Sequence, residues 1–255
     1  MLQKNDYNPI GIFSGTVLKI IACVFMVIDH VGLTFFPDEE IFRILGRLSF
    51  PLFAFLIAEG NRYSKHKLRR FFMIFGIGVS FFIFYYFFAG DIYGNIFLTF
   101  SVSILLNFLL DFSKKLVLEN FKIYKLLLAI TVMLSALCLT FLLYEHVHFE
   151  YKFSGMLLPV IINLTDFKNV KATEAVKRFD CHLSRMLCFL VGLFYLSFDG
   201  NLGAIQFYCL LSVPFVLFYN GKSGTKKLKY LFYIFYPLHL VVIEGLALIL
   251  PLIKA

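Results

Sequence analysis

Residues 18–32 read LKIIACVFMVIDHVG, an apolar run that contains three ionisable side chains, Lys19, Asp29 and His30. The run predicts a helix, and because His30 follows Lys19 by eleven positions, both side chains fall on one face, about 16 Å apart along the axis. Ionisable groups in a membrane helix normally face a bundle interior or a water-filled cavity. We therefore expect this helix to organise a polar site inside a membrane protein.

The composition excludes an ordinary soluble domain. The chain is 60% hydrophobic and 16% charged, and its mean hydropathy is +0.83, whereas soluble domains carry about 25% charged residues. The formal charge of +8 does not indicate a nucleic-acid partner, because the basic residues lie between apolar segments, as topology signals do. The lipid bilayer is the expected surrounding.

The apolar segments predict an all-α integral membrane protein, a polytopic bundle of about nine helices that forms one transmembrane domain over residues 1–255. The sixth segment is short and contains Pro159, so it is expected to be tilted, broken or only partly spanning. The predicted spans lie near 14–36, 41–60, 69–89, 94–111, 122–144, 151–165, 181–198, 202–219 and 229–252.

Loop charges predict the orientation. Four lysine- and arginine-rich loops, 61–70, 112–125, 166–180 and 220–229, alternate with loops that are acidic or nearly uncharged. Basic loops face the cytoplasm, which places the N-terminus inside and, with nine spans, the C-terminus outside. The first apolar stretch is too long for a signal-peptide core, so we expect a multi-pass protein of the bacterial inner membrane.

The second span carries two arginines, Arg43 and Arg47, four residues apart and therefore on one face. We expect Arg43 to reach the outer surface and the deeper Arg47 to pair with Asp29 or line a cavity. Near the cytoplasmic end of the same span, Glu59 is expected either to pair with Arg62 or to serve the site.

The last span repeats the unusual feature of the first, an intramembrane histidine. His239 lies about halfway across, Tyr236 precedes it by three residues on the same face, and Pro237 permits irregular backbone. Two intramembrane histidines in different spans indicate a shared site better than either histidine alone.

Polar residues also open two spans on the predicted outer side. Asn95 and Thr99 share a helix face and would either cap the helix or contact an acceptor. Glu150 would either bind an amine acceptor or be a plain loop charge. The five cysteines follow no zinc or disulfide spacing, and no metal is expected.

Several of these stretches resemble the TraX family, membrane proteins named after a conjugation factor that acetylates pilin. The resemblance runs from about Leu18 to Leu240, with its specific motifs in the first, second and last spans. The matching residues are Leu18 to Ala22, Met26, Asp29, His30 and Gly32; Arg43, Gly46, Arg47, Phe50, Pro51, Glu59 and Gly60; Asn95 and Thr99; Gly155; and Phe235, Tyr236, Pro237, His239 and Leu240.

The family is in turn similar to the acyltransferase-3 enzymes, in which a basic residue, ten intervening positions and a histidine recur in an early span. Lys19 and His30 fit that spacing. The resemblance implies transfer of an acyl group, usually acetyl, from cytoplasmic acetyl-CoA or another acyl-CoA to an extracytoplasmic acceptor, such as a peptide or protein N-terminal amine or a glycan hydroxyl.

On this hypothesis His30 is the general base or a transient acyl carrier. His239 or Tyr236 supplies an oxyanion donor or positions the acceptor, and Asp29 is counted with this catalytic group, with pairing to Arg47 as its alternative.

The remaining candidate residues are expected to bind the acyl donor or the acceptor. We expect Lys19, Arg47 and Arg62 to bind the phosphates of acyl-CoA. We expect the acceptor to be contacted by four further side chains, Asn95, Thr99, Glu150 and Glu59.

Two other functions stay open from the sequence. A transporter or flippase could use Asp29, His30 and His239 as a proton relay. A non-catalytic assembly factor would need none of these side chains for chemistry.

Overall fold

The computed structural model describes residues 11–90, 93–119, 121–198, 203–225 and 231–254. They form helices joined by short connections, with one two-residue parallel pairing between β1 (Tyr93–Gly94) and β2 (His148–Phe149). The α-helices are α1 (Gly15–Phe35), α2 (Glu40–Gly46), α3 (Ser49–Tyr63), α4 (Lys67–Ala89), α5 (Ile96–Leu118), α6 (Ile123–His146), α7 (Lys152–Ile162), α8 (Glu174–Lys177), α9 (His182–Phe198), α10 (Val213–Leu217) and α11 (Leu231–Lys254).

The all-α class is confirmed, and each predicted span coincides with a helical segment. The short sixth span is α7 continued by a 3₁₀ turn, Asn163–Thr165, and the eighth begins with a long 3₁₀ helix, Gly203–Ser212. Residues 226–230, which contain part of the fourth basic loop and the start of the ninth span, lie outside the described residues.

Length and composition separate these helices into two groups. Four are shorter apolar helices, and five are long and apolar enough to cross a membrane, namely Gly15–Phe35, Glu40–Tyr63, Lys67–Phe87, Ile96–Leu118 and Ile123–His146. The number of nine crossings and the cytoplasmic N-terminus remain predictions.

The chain divides into two compact units. Unit 1 combines both ends of the chain, Met1–Leu56 and Gly200–Ala255, and unit 2 is the central stretch Ile57–Asp199. The helix α3 contributes residues to both units. The single transmembrane domain over residues 1–255 stays a prediction.

In unit 1, α1 packs against α2 and α11. Its buried residues Leu18, Ala22 and Met26 recur every four positions and therefore form one stripe. Two glycines allow α2 to approach closely, because a Cβ at Gly32 would collide with the Phe42 side chain and one at Gly46 with the Asp29 carboxylate. The polar face of α1 therefore meets α2 directly.

Backbone contacts also join the two ends of the chain within unit 1. Phe13 forms a parallel bridge with Tyr219, and the Gly15 amide donates to the Lys222 carbonyl at 2.8 Å. The Thr16 hydroxyl lies 3.2 Å from the Ser223 carbonyl oxygen, to which it donates. The start of α1 is thus held by the segment that follows α10.

In unit 2, α5 packs against α4, α6 and α7, and α7 packs against α9. Polar side chains join these apolar helices: the Ser103 hydroxyl donates to the Met156 carbonyl at 2.7 Å, and the Asn163 amide donates to Asn107 Oδ1 at 2.8 Å. Asn107 is fully buried and Asn163 nearly so, so each hydrogen bond offsets the cost of removing a polar group from water.

A buried ion cluster lies at the ends of several unit 2 helices. We use this name for three cations and three carboxylates: Glu59, Arg62, Lys114, Asp166, Asp180 and Arg185. Arg62 Nη1 donates to one oxygen of Asp166 and one of Asp180, both at 2.6 Å. The Lys114 ammonium donates to the carbonyls of Asn163 and Asp166 at 2.6 and 2.7 Å. The formal charges of the cluster cancel.

Glu59, for which the sequence offered a pairing with Arg62, pairs with Arg185. The cluster also holds the polar loop 166–180, whose helical content is the single turn α8. This loop is therefore anchored by charges at both of its ends, Asp166 and Asp180.

Arg62→Met should destabilise the protein markedly, since it leaves a buried carboxylate, Asp166, and a half-buried one, Asp180, without their shared cation. Removing one partner of a buried ion pair costs about 3–5 kcal/mol. Thermal unfolding of the detergent-purified protein measures the effect. Lys177→Met is the matched control, because the pair of Lys177 with Glu174 lies on the surface and exposed pairs contribute little. Equal melting temperatures for the two variants would contradict a stabilising role for the cluster.

Topology can be tested in cells with reporter fusions. A phosphatase that is active only outside the cytoplasm should be inactive when fused after Lys171 and active when fused after Glu145. Fluorescent-protein fusions at the same two positions should give the opposite pattern. Activity of the phosphatase at Lys171 would overturn the cytoplasmic assignment of the basic loops.

Candidate functional site

The two intramembrane histidines meet in unit 1. His30 of α1 and His239 of α11 pack edge to face, with ring centroids 5.0 Å apart and an interplanar angle of 86°. The residues lie at opposite ends of the chain, and the packing of α11 against α1 brings them together. The structure thus places two predicted catalytic residues in one pair, the histidine pair (His30 and His239).

Both imidazoles are held by the backbone of their own helices. His30 Nδ1 lies 2.9 Å from the Met26 carbonyl oxygen, and His239 Nδ1 lies 3.1 Å from that of Phe235. A carbonyl oxygen only accepts hydrogen bonds, so in each ring Nδ1 carries the hydrogen and donates it. In a neutral imidazole the other nitrogen, Nε2, then has a lone pair available as a base or ligand.

Aromatic rings surround His239. Phe235 stacks on it with centroids 5.5 Å apart and planes 9° apart, and the Tyr236 ring lies 5.5 Å away at 67°. His239 is buried, and its Nε2 accepts no hydrogen bond from any residue in the described ranges. His30 is half-buried. The arrangement offers one shielded and one more accessible imidazole.

Asp29 faces away from His30 and forms a carboxylate–arginine group with α2. Arg43 Nη1 donates to Asp29 Oδ1 at 2.7 Å, and Arg47 Nη2 donates to both carboxylate oxygens at 3.2 Å. The predicted pairing of Asp29 with Arg47 is observed. The expectation that Arg43 reaches the outer surface is wrong, because the Asp29 carboxylate holds its guanidinium inside the unit.

The three cations that were predicted to bind the donor have different surroundings from one another. Lys19 is half-buried on α1, three turns before His30. Arg47 is buried against Asp29, and Arg62 is buried against Asp166 and Asp180. A phosphate could reach either arginine only by displacing a carboxylate.

The predicted acceptor residues all belong to unit 2. Asn95 caps α5, accepting from the amides of Phe97 and Leu98 at 3.0 and 3.2 Å. Thr99 is fully buried and donates to the Asn95 carbonyl at 3.3 Å. Glu150 is half-buried beside β2. The cap is one of the two alternatives that the sequence offered for Asn95, and contacts of these residues with an acceptor stay predictions.

Sequence reasoning missed several buried polar residues. Arg185 lies inside the apolar run of α9, and Lys114 lies near the end of α5; in both cases a cation within an apolar helix was the available signal. Gln206 is also buried, and its Oε1 has no hydrogen-bond partner within the described part of the chain. Asp166 and Asp180 gave no such signal, because they belong to a polar loop.

Among the described residues, no three histidine, cysteine, aspartate or glutamate side chains lie close enough to hold a metal ion. The five cysteines are free thiols.

Comparisons with known proteins give a family for the chain. The family model described as TraX protein matches residues 14–247. A segment of 53 residues is 45% identical to a Rickettsia prowazekii (strain Madrid E) protein described as uncharacterized, RP591, covering 21% of this chain and 21% of that protein. A segment of 58 residues is 40% identical to a probable fimbrial assembly protein FimC, serogroup H1, of Dichelobacter nodosus, covering 21% and 24%.

These aligned segments span less than a quarter of either relative's length. No solved structure matches the chain. The family model, in contrast, extends from the cap of α1 to the second half of α11, so it includes the histidine pair and the carboxylate–arginine group. Because the match covers nearly the whole sequence, the chain belongs to the TraX family.

Proposed function

We propose that this chain is a membrane-embedded acyltransferase that uses the histidine pair. It moves an acyl group, acetyl in the first instance, from cytoplasmic acyl-CoA to an extracytoplasmic acceptor, either a peptide N-terminal amine or a glycan hydroxyl. The observation that carries the proposal is the tethering of both Nδ1 atoms to backbone carbonyls, which leaves a basic Nε2 on each ring. The resemblance to acyltransferases, not the geometry, supplies the thioester donor.

His30 is the base of the proposed reaction. Its Nε2 takes a proton from the acceptor amine or hydroxyl while the acceptor nitrogen or oxygen forms a bond to the thioester carbonyl carbon. Collapse of the tetrahedral intermediate breaks the carbon–sulfur bond, and the proton on His30 passes to the departing CoA thiolate. The imidazole ends the cycle neutral, as it began.

An acyl-imidazole route is the alternative on the same atom. His30 Nε2 would attack the thioester carbonyl, the carbon–sulfur bond would break, and the acceptor would then attack the acyl-imidazole. In that route His239, the second base of the pair, would take the acceptor proton and pass it to the CoA thiolate. Both routes need His30 Nε2 and both keep Nδ1 bonded to Met26.

His239 and Tyr236 have supporting roles in the proposal. The His239 ring packs between those of Phe235 and His30. Its Nε2 can therefore accept, in a fixed direction, a hydrogen bond from the N–H or O–H group of the acyl acceptor. Tyr236, whose ring contacts that of His239, is the further candidate donor for the oxyanion. Asp29 acts as a positioning residue, because it fixes α1 against Arg43 of α2 and Arg47, the residue that follows α2.

Lys19 is the proposed cation for the CoA phosphates. It lies about 16 Å along α1 from His30, towards the side that the loop charges assign to the cytoplasm. Arg47 and Arg62 already hold carboxylates, so the proposal leaves them out of the donor site.

The second candidate is a non-catalytic role in assembling a surface appendage. The segment similar to a probable fimbrial assembly protein favours it, although that segment is a small part of the protein. An assembly factor would tolerate loss of the histidine pair, whereas an enzyme would not. The His30→Ala variant therefore distinguishes the two functions. A proton-relay transporter would need the pair but would transfer no acyl group.

His30→Ala should abolish acyl transfer while the protein still folds, because it removes the base that both routes require. The measurement is transfer of radiolabelled acetyl from acetyl-CoA to a peptide with a free N-terminal amine, with the N-acetylated peptide as the blank. General bases contribute about 100- to 10,000-fold. His146→Ala, at the exposed end of α6, is the matched control. Undiminished turnover by His30→Ala would remove the histidine from the mechanism.

Lys19→Ala should weaken donor binding more than it slows the chemical step. A residue that binds substrate equally in the ground and transition states changes KM and leaves kcat nearly unchanged. Calorimetric titration of the detergent-purified protein with acetyl-CoA, together with the kinetic KM, measures this. Equal acetyl-CoA affinity in wild type and variant would contradict the assignment of Lys19 to the donor.

A further inference from the structure

Glu244 is an ionisable side chain on the outward face of α11. It is exposed, and so are its neighbours one turn to either side, Val241 at 69% and Leu248 at 74%. Two further residues extend this apolar face towards the start of the helix, Ile234 at 59% and Leu238 at 54%. Glu244 makes no hydrogen bond or ion pair with any residue of the described ranges.

The position of Glu244 places its carboxylate deep in the helix. It lies thirteen residues beyond Leu231 and ten before Lys254, or about 20 and 15 Å along the axis. A glutamate side chain has two methylene groups, so it cannot reach the membrane surface from there as a long lysine or arginine side chain near a helix end can. The carboxylate therefore stays among apolar side chains.

The other carboxylates within the apolar helices of this protein behave differently. Asp29 lies against two arginines and Glu59 against one, as expected where an isolated charge is costly. A carboxylate on a lipid-facing helix surface also needs a counter-charge. No residue of the described ranges supplies one to Glu244. Its counter-charge must then come from another molecule.

The chemistry of this exposed α11 face indicates which kind of molecule can bind there. A second copy of this chain packed symmetrically on the same face would bring two Glu244 carboxylates together, and like charges repel. A cation flanked by apolar surface fits instead. Because the exposed side chains follow one another at one-turn spacing along α11, the complementary surface is that of a helix.

We propose that the α11 face centred on Glu244 binds a membrane-spanning helix of another protein, one that carries an amino or guanidinium group at the depth of Glu244. The flanking residues Leu238, Val241 and Leu248 pack against the apolar part of that helix. This interaction is independent of the proposed acyl transfer, since it uses no residue of the histidine pair.

A synthetic helix tests the proposal without a known partner. The full chain, labelled with a fluorescent donor, is reconstituted in phosphatidylcholine vesicles with a polyleucine transmembrane peptide that carries one central lysine and an acceptor dye. The comparison peptide has glutamine in place of lysine. Energy transfer should show the lysine peptide binding about five-fold more tightly, as expected for polar contacts between membrane helices.

Two variants decide the assignment. Glu244→Gln should abolish the preference for lysine, and Glu244→Lys should instead prefer a peptide with a central glutamate. Glu145→Gln, which removes an exposed carboxylate at the end of α6, should keep the wild-type preference. Equal binding of the two peptides by the wild type, or an unchanged lysine preference in Glu244→Gln, would overturn the proposal, as would self-association of the chain through this face.

Discussion

The interaction on which unit 1 depends is the contact of one carboxylate, Asp29, with Arg43 of α2 and with Arg47, the residue that follows α2. An apolar interior makes an isolated charge costly, so α1 and α2 must approach until Asp29, Arg43 and Arg47 meet. Glycine at position 46 permits that approach, because any side chain there would occupy the space of the carboxylate. The direction in which α1 presents its next residue, His30, follows from this packing.

Unit 2 satisfies the same constraint with different residues. Arg62 holds one aspartate at each end of the polar loop, and Arg185 holds Glu59. These ion pairs attach the polar loop 166–180 to the ends of the apolar helices. The apolar helix surfaces alone could not hold this loop in place. Because its charges cancel, the cluster attracts an added phosphate weakly, so Arg62 is committed to holding the loop.

The helices followed from hydropathy, although the second span divides into α2 and α3 and α5 continues to Leu118, beyond the predicted end at 111. The choice of His30 and His239 as candidates followed from the cost of placing an imidazole in an apolar span. Their contact did not, because residues at opposite ends of a chain are joined by tertiary packing that no local pattern records. Arg43 shows the same limit. Its spacing from Arg47 predicted a shared face, but only the position of α1 decides whether that face meets a carboxylate or the membrane surface. Asp166 and Asp180 resembled ordinary loop charges for the same reason.

The pairing of charges also explains where chemistry can occur. A carboxylate and a guanidinium in an apolar interior remain charged and neutralise each other, so each is committed to its partner. An imidazole is stable in its neutral form near pH 7, and it can be buried without a counter-ion while it keeps a lone pair. In unit 1 the backbone carbonyls of Met26 and Phe235 occupy the donor nitrogens of both rings, which leaves a lone pair on each Nε2. In the proposed mechanism, reactivity therefore belongs to the two imidazoles, which the ion pairs do not engage.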